Sequence, residues 1–93
     1  MKTLTIFYLE ACPYCVHARR ALGELQAENP AYAGVPVKWI DERREAALAA
    51  KYDYYYVPSV YLDGRKLFEA DPAMGYAEIK RGLFQALEAA LAA

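Results

Sequence analysis

Cys12 and Cys15 stand two residues apart, at the junction between a β-forming run and a helical pattern, and the 93-residue chain has no other cysteine. That junction constrains the fold more than any other feature. Upstream, Leu4 to Leu9 is rich in β-formers and reads as a first strand. Downstream, Cys15, Ala18, Leu22 and Leu25 step by three, four and three, which is one face of a helix. Arg19, Arg20 and Glu24 fall elsewhere and should be wet. Pro13 suits the first helical turn, where its missing N–H costs nothing, so Cys12 falls at the helix N-terminus.

The rest of the chain supplies a small α/β domain. Asn29-Pro30 and Gly34 mark a loop, and Val35 to Ile40 alternates as a second strand, its proline suiting a strand start or an edge. Asp41 is a candidate N-cap for a short helix to about Tyr52. Ser59 to Leu62 and Lys66 to Phe68 flank Asp63-Gly64, a strong hairpin turn. Asp71-Pro72 suggests a cap and first-turn proline, followed by the stripe Tyr76, Ile79, Leu83, Leu87 and Ala90. The order β-α-β-α-β-β-α predicts a right-handed parallel βαβ unit, an antiparallel hairpin and a closing helix. The fold class is α/β: a four-stranded mixed sheet with three helices, on both of its faces, in a single domain spanning 1–93.

Composition narrows the function classes. At 57% hydrophobic residues the chain can build a core without structural disulfides. A net charge of −1 argues against nucleic-acid binding, which calls for a basic surplus. The N-terminal apolar run is too short for a signal peptide, and no stretch approaches the ~18 apolar residues of a membrane span. A soluble cytoplasmic monomer, with neither nucleic acid nor membrane as partner, is the expectation.

Two close cysteines in a reducing compartment point to redox chemistry or to a metal. Amides and dipole at a helix N-terminus favour a thiolate, the form that attacks disulfides. Cys12 holds that position. Cys15, one turn later on the apolar stripe, should be more buried. Cys12 would form a mixed disulfide with substrate, and Cys15 would attack Cys12 to release it. The rivals are a zinc half-site, which needs further ligands, and an iron–sulfur cluster bridging two chains. The only histidine, His17, should face solvent.

Strand, Cys12-Pro13-Tyr14-Cys15, helix, then Val57-Pro58 ahead of a hairpin: this order resembles the glutaredoxin family over nearly the whole chain. The resemblance implies a thioredoxin-like fold. It implies an enzyme that reduces protein disulfides or glutathione mixed disulfides, with Cys12 and Cys15 catalytic. It implies a cis proline at Pro58 facing the cysteines and a Val57 backbone that pairs with substrate like an added strand. Tyr14 is retained, Lys51 could supply a basic contact to the glutathione glycine carboxylate, and Asp71 lies near the acidic position that takes its amino group. No tightly bound cofactor is expected. Glutathione would be a co-substrate, with glutathione or a thioredoxin reductase as electron donor.

The chain departs from the family at three places. Glu10 stands where a lysine precedes the first cysteine by two, Tyr56 stands where a threonine precedes Val-Pro, and Phe68-Glu69 replaces a glycine pair. Glu10 and Glu69 would repel a glutathione carboxylate within a Debye length of ~8 Å. The alternative readings are therefore a thioredoxin-like protein disulfide reductase fed by a reductase flavoprotein, or a metal-binding or iron–sulfur module. Tyr55 or Tyr56 could form an aromatic wall for substrate.

Overall fold

The computed structural model describes residues 2–93. Strand β1 (Leu4–Tyr8) leads into helix α1 (Pro13–Glu28), and β2 (Val37–Asp41) returns parallel to β1 with Ile6 opposite Trp39. Strands β3 (Ser59–Leu62) and β4 (Arg65–Glu69) form the hairpin, and α4 (Tyr76–Ala92) closes the chain. The sheet order is β2-β1-β3-β4, with β3 antiparallel to both β1 and β4. Asp63 and Gly64 both have positive φ, 53° and 80°, as a type I′ hairpin turn requires. This is the mixed four-stranded sheet that the sequence predicts.

The described residues contain four helices, not three, because two single turns join the long pair: α2 (Pro30–Ala33) and α3 (Ala46–Ala49). Asn29 accepts the Ala31 N–H at 3.0 Å, which nucleates α2 inside the expected loop. The helix expected from Asp41 shrinks to α3 because Asp41 is the last residue of β2, paired with Tyr8. Its Oδ1 still accepts the amides of Arg43 and Arg44, at 2.9 and 3.4 Å, but what it caps is a turn. The last helix starts later than Asp71. Asp71 accepts the Ala73 N–H at 2.8 Å in a turn of its own, and the Glu78 carboxylate accepts the Gly75 N–H at 2.7 Å where α4 begins.

The two faces of the sheet are built differently. On one, Leu4, Ile6, Val60 and Leu62 meet the stripes Ala18-Leu22-Leu25 of α1 and Ile79-Leu83-Leu87 of α4, all buried. Phe68 lies over Gly82, where an added Cβ would collide with its ring. Polar contacts fasten α4 to α1 at its edge: Glu24 accepts from Tyr76 Oη and from Lys80. His17 is half-buried with its ring edge-on to Tyr76, not fully in solvent as expected. On the other face, Phe7, Ile40 and Tyr61 pack with Leu48, Tyr52, Tyr54 and Val57. Ring centroids 4.6–5.7 Å apart make this a Phe7-centred aromatic cluster.

Candidate functional site

Both cysteines lie where β1 hands over to α1. Cys12 is the N-cap residue, with Pro13 in the first turn, and its carbonyl accepts the N–H groups of Cys15 and Val16, each at 3.1 Å. Its side chain does not fold back onto the helix amides. It is half-buried and donates instead to the Val57 carbonyl at 3.6 Å. The Val57–Pro58 bond is cis, Pro58 is buried, and the Pro58 carbonyl accepts the Ala70 N–H at 3.0 Å. Residues 45 positions apart in the chain thus face one another across the end of the sheet.

Cys15 has a different environment. It is only 2% exposed, among the residues of the α1 stripe. Burial pushes its thiol up to about 12. A backbone hydrogen bond at Leu9 works against the rise, while Cys12 and Glu42 add to it. Neither cysteine is joined in a disulfide. The arrangement therefore offers one half-buried sulfur and one buried sulfur that holds its proton tightly.

The other residues singled out from the sequence divide into two groups. Tyr14 reaches from the first turn of α1 to donate to the Pro72 carbonyl at 3.3 Å, which brings the Asp71-Pro72 turn beside the cysteines. Tyr56 is 48% exposed next to Val57, and Tyr55 is 92% exposed. Lys51 does not join them. It lines a separate cavity of about 560 Å³ with Leu48, Tyr52 and Tyr61, on the aromatic face. Glu10 does stand at the site, lining a cavity of about 380 Å³ with Cys12, Asp41 and Arg43. A second concavity, behind Cys15, is bordered by Val16 and Arg19. The Arg19 guanidinium there sits 4.2 Å from the Trp39 ring centre and 4.6 Å from that of Tyr8. Among the described residues, no three His, Cys, Asp or Glu side chains gather as a metal ion would need.

Two residues at the site escape a sequence reading. Arg43, inside the span expected to be helical, borders the Cys12 cavity, and residues 42–45 form turns instead of a helix. Glu69 does not stand free as an anion. Its Oε2 accepts the amides of Tyr55 and Tyr56, both at 2.8 Å, and its Oε1 takes Lys66 Nζ at 2.7 Å. Burial works to raise its pKa, but Lys66 and the two amides outweigh it and hold the carboxyl below its ordinary range. Strict alternation would put residues 66 and 69 on opposite faces of β4. A bulge resolves this: Val60 pairs Phe68 while Tyr61 pairs Lys66, leaving Leu67 as the extra residue. The only sequence signal was the charge pair itself, three positions apart.

Comparison with known proteins gives a consistent picture of the fold. The sequence pattern of a family described as "Glutathione S-transferase, N-terminal domain" matches residues 6–83. No curated protein sequence matches the chain. Among solved structures, one described as that of a malarial protein superposes with a TM-score of 0.60 at 17% identity, covering 89% of this chain and 93% of its own. A mutant thioredoxin from Halobacterium salinarum gives 0.58 at 23% identity, covering 91% of this chain and 73% of its own. An uncharacterised thioredoxin-like protein from Clostridium perfringens gives 0.57 at 24%, covering 94% and 71%. The architecture shared with these structures is the thioredoxin fold. No helix among the described residues is long and apolar enough to cross a membrane.

Proposed function

The chain belongs to the glutathione S-transferase N-terminal domain family, and from that premise we propose that it is a thiol–disulfide oxidoreductase of glutaredoxin type, working through a Cys12/Cys15 dithiol cycle. The observation that carries this reading is the asymmetry of the two sulfurs: Cys12 is reachable at a helix N-cap and Cys15 is buried one turn behind it. The family's name alone would also suit a glutathione-binding domain without redox turnover. The second cysteine favours the redox reading, because a binding site has no use for a resolving thiol.

The cycle balances as follows. Cys12 loses its proton, and the thiolate attacks one sulfur of a substrate disulfide. The Cys12–substrate S–S bond forms, the substrate S–S bond breaks, and one substrate thiolate leaves and takes up a proton. Cys15 then loses its proton and attacks Cys12, the second substrate thiolate leaves, and a Cys12–Cys15 disulfide remains. Two electrons have passed to the substrate. Two external thiols, from glutathione or a reductase, return them. Burial, the main cause of the raised Cys15 thiol, acts throughout the cycle; the smaller opposition from a free Cys12 is relieved once Cys12 is tied into the mixed disulfide.

The half-buried Val57, whose backbone belongs to no strand ladder, supports a substrate peptide laid alongside it as an added strand. Disulfide-containing proteins and glutathione mixed disulfides are the proposed substrates, handled by a monomer in the cytoplasm. The Lys66 ion pair offsets the charge of Glu69, one of the two that would repel glutathione, while exposed Glu10 remains. Trapping tests the proposal. Cys15→Ser should retain a covalent adduct with a disulfide substrate at Cys12, visible as a mass increase that a reductant removes. Cys12→Ser should form none and should reduce no disulfide. Normal turnover by Cys12→Ser would contradict the proposal.

A further inference from the structure

We propose that Glu69 is a positioning residue for this site: its carboxylate fixes the Tyr55–Val57 backbone and thereby holds the Val57 carbonyl against the Cys12 sulfur. The inference rests on the dithiol reading above and adds to it a residue that takes no part in bond making. The connection is continuous. Lys66 Nζ, which also donates to the Asp53 carbonyl at 3.1 Å, anchors Glu69 Oε1 at 2.7 Å. Glu69 Oε2 accepts two successive amides, of Tyr55 and Tyr56, at 2.8 Å each. Ser59 Oγ, itself buried, donates to the Tyr56 carbonyl at 2.6 Å. The next carbonyl is that of Val57, 3.6 Å from Cys12 Sγ.

The segment needs such a device. Residues 53–58 belong to no strand or helix, so no ladder pairs their amides. Tyr55 is 92% exposed and packs on nothing that would hold it. Tyr54, Val57 and Pro58 are held by packing, but side-chain burial does not fix the Tyr55 and Tyr56 backbone between them. Glu69 can, because it sits at the end of β4, paired to Ser59 beyond the bulge and held there by the sheet. A single charged acceptor shared by two amides fixes both peptide planes at once, and charge-assisted bonds are the strong ones.

The role predicts a selective defect. Substrates that use the Val57 backbone need it in place; a small disulfide that meets only the sulfur does not. Wild type, Glu69→Ala, Glu69→Gln and Lys66→Met would be compared on a disulfide-bonded peptide and on bis(2-hydroxyethyl) disulfide, with thermal unfolding followed in parallel. Glu69→Ala should lower kcat/KM for the peptide about 10- to 100-fold, the size expected for sub-ångström to ångström misplacement. It should leave the small disulfide within about twofold, because only the positioned backbone is lost. Glu69→Gln keeps an acceptor for the amides and should rescue most of the peptide activity. Unchanged peptide kinetics in Glu69→Ala, or an equal loss on both substrates, overturns the assignment. If Glu69→Ala does not fold, Lys66→Met decides by the same selectivity: a peptide-only loss supports the role, and no selectivity overturns it. Failure of the wild type on both disulfides would instead bring down the dithiol reading itself.

Discussion

The two faces of the sheet are held by different forces, and the candidate site lies where they meet. The α1/α4 face is an aliphatic interior: Ile6, Val60, Leu83 and Leu87 are fully buried, and its polar contacts sit at the rim. The opposite face is a tyrosine layer capped by one short helical turn and an irregular segment. Its hydroxyls are tied down individually, Tyr54 to Glu42 at 2.7 Å and Tyr61 to the Asp53 carbonyl at 2.7 Å. Cys12 and Cys15 come from the first face and Val57 from the second. Apolar packing buries the resolving sulfur, while hydrogen bonds place the backbone opposite the attacking one. The molecule thus separates stability from positioning.

Variants can break that separation or sharpen it. Leu83→Ala removes a side chain with no exposed surface on the aliphatic face and should cost about 2–5 kcal/mol in chemical denaturation. A cost below ~1 kcal/mol would mean that this face is not the main source of stability. The buried thiol gives the next effect. Its pKa rises from 9.0 in the unfolded reference to about 12 in the folded, reduced protein. The folded state therefore holds the proton more tightly. Stability from this group is intact below about pH 9 and declines as pH climbs toward 12, by roughly 2–4 kcal/mol. Tyr61 and Tyr76, whose pKa values burial also raises, likewise lose their contribution as pH climbs above 10. The difference between wild type and Cys15→Ala isolates the thiol: parallel pH profiles for the two would refute the assignment.

How much of this was legible in the sequence follows the same division. The aliphatic face was readable because burial there repeats with the helix period: Cys15, Ala18, Leu22 and Leu25, then Ile79, Leu83, Leu87 and Ala90, are all buried. The Asp63-Gly64 turn was readable because a two-residue hairpin demands positive φ at both positions. The cis bond at Val57–Pro58 came from family resemblance, and the geometry agrees. The tyrosine face was not readable. Residues 42–58 are placed by long-range polar contacts and by a bulge in β4, and neither leaves a periodic trace. The expected Asp41–Tyr52 helix failed for that reason.

Smaller effects refine the contrast. Gly82→Ala adds a methyl group where the Phe68 ring already stands, which should cost about 1–3 kcal/mol, measured by thermal unfolding. A neutral result would show that the ring has room to swing away. Tyr54→Phe deletes only the hydroxyl that meets Glu42 and should cost about 0.5–1.5 kcal/mol. A loss as large as that of Leu83→Ala would make the polar face a second core and erase the distinction drawn here.

The account stands on unequal access to the two sulfurs. Alkylating the reduced protein with iodoacetamide near neutral pH, and mapping the modified residue by mass spectrometry over time, measures that directly. Carbamidomethylation at residue 12 should run to completion while residue 15 stays unmodified until the chain is unfolded. Equal labelling of the two, or modification of residue 15 first, would contradict it.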